Sequence, residues 1–338
     1  MNTWYVKVPR QNAENVRVKL LSRGVFDASR AILREGSAIL FPAIHQIPLR
    51  GVVFVHRTSA AIPIKPRSLS EALKGTLAPS EIRALPSGFD VIGDIAVIEL
   101  PDVLLKRSKA IAQALLSTFT HLKVVALKAS PVSTQFRVRG IQVVAGEHRT
   151  VTVHREFGCR YKLDVASAYF SPRLGTERMR VARQVLDGES VLVMFAGVGP
   201  YAILIAKTRT PRDVVAIELN PAAVLFMQEN ARINKVNVKT IQGDVRSVTP
   251  KLGLFDRIVM PLPKDAGDFL DVALPTVRAK GVVHFYDFAE TPGNSARRVR
   301  GLCRALGYRI CILDAVVCGS YAPRINRVCV DFKVLGRK

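Results

Sequence analysis

Hydrophobic and polar positions follow two different rhythms along this 338-residue chain. Near the start, Trp4-Tyr5-Val6-Lys7-Val8 alternates with the two-residue period of a strand. Residues 12–23 then carry apolar positions at helical spacing, up to Gly24 as a helix stop. Short apolar runs at 38–42 and 51–55 predict further strands. The proline-bearing segment Ile62-Pro63-Ile64-Lys65-Pro66 breaks the pattern and reads as a linker. A second block follows: a helix over 69–74, a Pro-Ser-Gly turn at 86–88, an apolar strand over 91–100, a helix over 102–119, a strand at 122–127, and a pair of strands at 136–144 and 150–155. From about residue 166 the rhythm changes. Apolar strands at 190–195, 214–218, 257–260, 281–286 and 327–333 alternate with helical stretches at 175–186, 200–207, 221–234, 265–278 and 294–305. Strand–helix alternation of this kind predicts a doubly wound, largely parallel sheet. The expected class is α/β, with domains over 1–62, 67–165 and 166–338.

Composition sharpens this picture. With 49% hydrophobic residues the chain can bury a sizeable core. It has no apolar run of membrane-spanning length, and its first ten residues carry no apolar signal core. A soluble cytoplasmic monomer with no membrane partner is expected. The charge says more: 50 Lys and Arg against 27 Asp and Glu leave a formal net charge of +23. The surplus is spread along the chain rather than gathered in a tail, so the folded surface should attract a polyanion. Nucleic acid is the favoured partner over an anionic membrane surface, with solubility or heat adaptation as the plain alternative. The five cysteines include no CxxC pair, so no metal site is expected. Their odd number argues against a secreted disulfide framework; they read as small buried side chains.

The most informative local pattern is Val191-Leu192-Val193-Met194-Phe195-Ala196-Gly197-Val198-Gly199-Pro200. It places a strand, a glycine turn and a helix start in succession, the arrangement that lets backbone approach a ligand closely. Residues 197–202 even fit the dinucleotide pattern Gly-x-Gly-x-x-Ala. The next strand ends in Glu218, where an acid can accept both ribose hydroxyls of a nucleoside cofactor. Both NAD and S-adenosylmethionine suit that geometry. Two details favour the methyl donor: Asp244 follows the third strand, placed to hold an adenine amino group, and the fourth strand ends in the rigid turn Met260-Pro261-Leu262-Pro263. An oxidoreductase offers no reason for that turn.

Several stretches taken in order resemble one family, the archaeal–eukaryotic enzymes that methylate N1 of guanine 37 in tRNA. They are Phe170-Ser171-Pro172-Arg173-Leu174-Gly175-Thr176-Glu177-Arg178, the glycine turn, Glu218-Leu219-Asn220-Pro221 with Glu229-Asn230-Ala231-Arg232, and Ser320-Tyr321-Ala322-Pro323-Arg324. The N-terminal unit and Gly88-Phe89-Asp90-Val91-Ile92-Gly93-Asp94 are also similar to the family's first two domains. The chain departs from the pattern at Pro261, where the family usually has Asn, and at Val193, where an Asp is common.

The resemblance implies a small tRNA-anchoring domain, a middle domain and a class I methyltransferase domain, with S-adenosylmethionine as cofactor. The partner would be tRNA, gripped at the anticodon arm and the outer corner. Glu177 would be the general base and Arg137 the stabiliser of charge on the guanine O6, with Arg139 as its close competitor. Tyr169, Phe195, Gly197, Val198, Gly199, Glu218, Asn220, Asp244 and Pro261 would bind the cofactor. Arg173, Pro263 and Tyr321 would face the substrate. The chemistry supports these residue types. Guanine N1 is a poor nucleophile while protonated, and its deprotonation places negative charge on O6, which calls for a carboxylate and a guanidinium. The base must also leave its stack, at a cost of a few kcal/mol. His154 reads as structural. Two related activities remain alternatives: methylation of a wyosine intermediate at position 37 as well, and transfer of the cofactor's aminocarboxypropyl group. From other classes, a non-catalytic RNA-binding protein and an NAD-dependent dehydrogenase stay open.

Overall fold

The computed structural model describes residues 2–59, 66, 68–128 and 140–337. It divides into two compact units, Met1–Ala72 and Leu73–Lys338. The first unit holds β1 (Asn2–Pro9), α1 (Ala13–Ser22), β2 (Leu33–Glu35), β3 (Ala38–Ala43), β4 (Val53–Thr58) and the short α2 (Leu69–Ala72). Its strands form an antiparallel sheet in the order β2-β3-β1-β4. The alternation seen in β1 has the expected result: Val6 and Val8 pack with Val16 and Leu20 of α1.

The second unit opens with α3 (Pro79–Arg83), β5 (Asp90–Ile92), β6 (Ile95–Ile98), α4 (Asp102–Leu105), α5 (Ser108–Thr118), β7 (Val124–Lys128) and β8 (Ile141–Gly146). The strands make a sheet ordered β5-β6-β7-β8. Three expectations are corrected here. The strand over 91–100 is two strands, because Gly93 adopts φ +59° and turns the chain. The helix over 102–119 is also two pieces, broken at Lys106 and Arg107. Of the strand expected over 136–144, residues 136–139 lie outside the described residues; its described part, β8, pairs with β7 rather than with the strand expected at 150–155, and β9 (Val151–Glu156) forms a separate hairpin with β10 (Cys159–Asp164). Arg149 lies between β8 and β9 in the chain. It grips Asp94 through two contacts, at 2.6 and 3.0 Å.

The remaining elements are α6 (Gly175–Gln184), β11 (Ser190–Val193), α7 (Pro200–Thr208), β12 (Asp213–Glu218), α8 (Pro221–Asn234), β13 (Lys239–Gln242), α9 (Val245–Val248), β14 (Phe255–Met260), α10 (Leu270–Ala273), β15 (Val277–Ala289), α11 (Pro292–Ala305), β16 (Tyr308–Ala322) and β17 (Ile325–Arg337). They build a seven-stranded sheet ordered β13-β12-β11-β14-β15-β17-β16. The first five strands are parallel, and β17 runs antiparallel between β15 and β16. That insertion separates this sheet from the dinucleotide-binding order, in which the sixth strand simply extends the parallel row. Of strand β16, only the end at Ser320–Ala322 was expected, from the resemblance of 320–324 to the family's closing strand. β16 is an edge strand, about half exposed, in which Asp314 separates the apolar runs Ile310–Leu313 and Ala315–Cys318. The helix expected over 265–278 is reduced to α10 between 3-10 turns, with Pro275 in the last of them.

Alternating side chains of β11 feed two cores on opposite faces of the sheet. Val191 and Val193 join one, Leu192 and Met194 the other. The first core also takes in Ile92, Ile95, Val97, Val124 and Ala126, so the four-stranded sheet shares its packing with the large one. Each buried Val, Ile, Leu or Met among them contributes about 1.5–3 kcal/mol. Cys159, Cys303 and Cys329 are buried and Cys318 is half-buried, but Cys311 is exposed; all five are free thiols. Among the described residues, no helix is long and apolar enough to cross a membrane.

Candidate active site

The strand order reverses between β11 and β14, the place where an open α/β sheet leaves a crevice beyond its strand ends. The glycine turn lies there. Phe195, Gly197 and Gly199 all take left-handed backbone angles, at φ +54°, +57° and +87°. Gly199 starts α7, and a Cβ on it would lie 2.8 Å from Met227 Cγ, so no larger residue fits. The Tyr169 carbonyl oxygen lies 3.6 Å from where a Cβ on Gly197 would be, which brings Tyr169 to the turn. Phe195 meets Phe269 edge to face at 4.8 Å, and Arg246 lies over the other ring at 4.8 Å. Phe269 and Arg246 were not singled out in the sequence.

Glu218, at the end of β12, is held by two backbone amides. Gly197 N donates to Oε2 at 2.7 Å and Asn220 N to Oε1 at 2.8 Å. A carboxylate offers about four lone-pair sites, so this fixed group can still accept from two hydroxyls. Asn220 caps α8 through Ala222 N and also donates to Ser167 O at 2.8 Å. Val198 is buried, and its carbonyl accepts from Asn230. Asp244 is exposed, caps α9, and sits beside Gly243, whose amide donates to Glu218 O. Pro261 lies at the centre of a tight turn in which Leu262 N donates to Met260 O at 2.8 Å, and Pro263 is buried.

Glu177 is 6% exposed, in the first turn of α6. Arg180 grips both of its oxygens, at 2.7 and 2.8 Å. Tyr286 of β15 donates to Oε1 at 2.5 Å, and Tyr201, in the first turn of α7, donates to Tyr286 at 2.8 Å. Burial pushes both phenols well up, so they act as neutral donors. The carboxylate is thereby wired to the helix that follows the glycine turn. Arg180 also bonds Asp331, which accepts from His284 Nδ1 at 2.7 Å and from Gln184 at 2.9 Å. Burial works to raise the Asp331 carboxyl, yet these donors outweigh it and hold it below the usual carboxylate range. Burial, with Arg257 and Arg180 nearby, lowers the His284 value against the pull of Asp331. Arg257 Nη1 lies 2.8 Å from His284 Nε2 and can only donate, so His284 is neutral with its proton on Nδ1. His284, Cys329 and Asp331 bring three potential ligand atoms within 4.8 Å of one another. The two adjoining guanidinium groups make that cluster hostile to a cation and identify it as an internal ion-pair network.

The other expected residues that are described make contacts of their own. Arg173 pairs with Asp90 of β5 at 2.7 Å. Tyr321 is 60% exposed and stacks on Phe288 at 3.9 Å. His154 accepts from Gly93 N, in keeping with a structural role. Arg137 and Arg139 lie outside the described residues. Tyr201, Tyr286, Arg180 and Asp331 escaped sequence reasoning, although charged and polar side chains at every second place of apolar strands, as at Asp331 and His284, were a readable signal.

With the geometry established, likeness to known proteins settles the family. The TRM5/TYW2 methyltransferase domain matches residues 152–311, the TYW2 N-terminal domain residues 69–150, and the tRNA methyltransferase 5 N-terminal domain residues 6–48. The tRNA (guanine(37)-N(1))-methyltransferase Trm5b of Pyrococcus abyssi is 40% identical over 98% of this chain and 99% of its own. The chain belongs to the tRNA (guanine-37-N1)-methyltransferase family. A second member, Trm5b of Methanocaldococcus jannaschii, is 30% identical over 97% of this chain and 98% of its own. The family fold extends over the whole length: a structure of aTrm5 in complex with tRNALeu is 30% identical, covers 98% of this chain and 99% of its own, and gives a TM-score of 0.83. In this chain the Tyr169 carbonyl abuts Gly197, Gly197 N donates to Glu218, and Glu177 is joined through Tyr286 and Tyr201 to the first turn of α7.

Proposed function

We propose that this chain transfers the methyl group of S-adenosylmethionine to N1 of guanine 37 in tRNA. The observation that carries this reading is the Glu218 carboxylate fixed by two amides beside a left-handed glycine turn, with Glu177 linked to that turn through Tyr286 and Tyr201. The donor set suits S-adenosylmethionine: Glu218 would accept from the ribose hydroxyls, Asp244 would take the adenine amino group, and Phe195 with Phe269 would line an apolar wall. When bound, the cofactor supplies an electrophilic methyl group.

The residues of the chain supply the rest. Glu177 takes the N1 proton of the target guanine. Both its oxygens already accept hydrogen bonds, so one donor must give way, and Arg180 can fall back on Asp331 when it does. Arg137 neutralises the charge that develops on O6, with Arg139 two positions further on as its competitor. Tyr169 lies beside the glycine turn and the target nucleotide. Pro261 and Pro263 shape a rigid acceptor-side turn without a side-chain amide. Arg173 and Tyr321 contact RNA at the periphery. The division into 1–62, 67–165 and 166–338, grip on the anticodon arm and outer corner, a monomeric state and a cytoplasmic setting belong to the same reading.

Unmodified tRNA transcripts bearing G37 or A37, incubated with labelled methyl donor and digested to nucleosides, test it. The expected product is 1-methylguanosine from the G37 transcript alone. Equal labelling of both transcripts, or an aminocarboxypropyl product, would overturn it.

A further inference from the structure

Beyond the residues of the family pattern, one cation stands out on the sheet. Arg327 is the third residue of β17 and lies in register with Phe288 on one side and Gly319 on the other. Strand alternation puts it on the same face as Cys329 and Asp331, while Phe288 shares a face with Tyr286 and His284. Arg327 and Phe288 are therefore the next step outward along the face that holds Glu177. The guanidinium carbon lies 5.7 Å from the Phe288 ring centre, and Nη2 reaches the Tyr169 hydroxyl at 3.4 Å, a long contact. Among the described residues, its buried Nε finds no acceptor. Gly319 opposite has nothing within 4 Å of a Cβ position, so the space over that side is open. On the outer side, exposed Tyr321 stacks on Phe288 with an interplanar angle of 23°.

A guanidinium that is fixed by ring contacts yet short of acceptors needs an explanation, because unsatisfied buried donors are rare. No carboxylate of the described residues bonds it. Resting on the reading given above, we infer that Arg327 binds a backbone phosphate of the tRNA next to the target nucleotide, and that the Tyr321–Phe288 stack receives a neighbouring unpaired base. The phosphate would be met by the Nη side of the fork, where Nη2 has only the long contact to the Tyr169 hydroxyl, and planar Arg suits it. A two-ring stack with one open face suits a base of any identity. Tyr169 ties the two functions together: its backbone abuts the glycine turn while its hydroxyl meets Arg327, so a phosphate held by Arg327 sets where the adjoining nucleotide enters.

Equilibrium binding of an unmodified G37 tRNA transcript, measured over a series of salt concentrations without turnover, tests this. Arg327→Ala should weaken binding and reduce the slope of log K against log salt by about 0.7, the release expected for one single-strand phosphate. Binding of S-adenosylhomocysteine and the thermal midpoint should stay as in the unaltered protein, and Arg327→Lys should keep the slope. Tyr321→Ala changes an exposed residue and cannot unfold the core; it should weaken tRNA binding about tenfold with the slope unchanged. An unaltered slope in Arg327→Ala overturns the phosphate contact, and unaltered tRNA affinity in Tyr321→Ala overturns the stacking site. Because binding is read without methyl transfer, failure of the unaltered protein to methylate G37 would refute the functional reading and leave this measurement interpretable.

Discussion

Tyr286 donates a 2.5 Å hydrogen bond to Glu177 and in turn accepts one from Tyr201, so the buried carboxylate of α6 is joined through two phenols to the first turn of α7. The bond to the charged group should matter more than the bond between hydroxyls. Tyr286→Phe is expected to lower stability by about 2 kcal/mol and Tyr201→Phe by about 1 kcal/mol. Urea denaturation of both variants checks the order; equal losses would contradict it.

Glu218 is fixed before any ligand arrives, and its removal should act on the cofactor alone. Glu218→Ala is expected to weaken S-adenosylmethionine binding by about 2 kcal/mol, roughly thirtyfold. Affinity for tRNA should stay the same. Calorimetry with each ligand separates the two effects.

Two glycines with similar backbone angles should respond differently to alanine. Gly188, at φ +78°, has nothing within 4 Å of a Cβ position, so Gly188→Ala should cost about 1 kcal/mol from the left-handed backbone alone. Gly199, at φ +87°, would press its Cβ against Met227 and Ile203, and Gly199→Ala should cost about 3 kcal/mol or more. Thermal unfolding of the pair measures the difference, and a matched loss would count against the close α7–α8 packing.

The neutral, buried His284 gives stability a pH dependence of known sign. Its folded value lies below the unfolded value of about 6.5, so the unfolded chain binds more protons and acidification favours unfolding. Stability should therefore be full above about pH 6.5 and decline as the pH falls toward the depressed folded value. The Asp331 contribution lies in a separate window, present above about pH 4 and lost only in stronger acid. His284→Gln can still accept from Arg257 and donate to Asp331. Its urea midpoint should change less between about pH 7 and about pH 5 than that of the unaltered protein.

Much of this molecule was legible in its residues. The strand–turn–helix of 191–208 and the acid at Glu218 announced the crevice because both depend on local rules: a glycine with positive φ, a helix start, a strand tip. The tertiary partners were not legible. Tyr286 lies 109 positions from Glu177, and Arg180 lies 151 from Asp331, so no periodicity reports that they meet. The place of β17 between β15 and β16 was equally hidden, since strand order is set by tertiary pairing and Asp314 interrupts the apolar positions of β16. Val91 to Leu100 misled for the opposite reason: an apolar stretch concealed the turn at Gly93.

The central claim is that Glu177 removes the proton from guanine N1. Its most direct test is Glu177→Gln, a swap of equal size that keeps an acceptor for Tyr286 and Arg180. The methyl-transfer rate is measured in a single turnover, with saturating cofactor and G37 transcript. The predicted result is a rate lowered by about 10²–10⁴-fold with both ligands still bound. A rate within a few-fold of the unaltered enzyme would contradict the account.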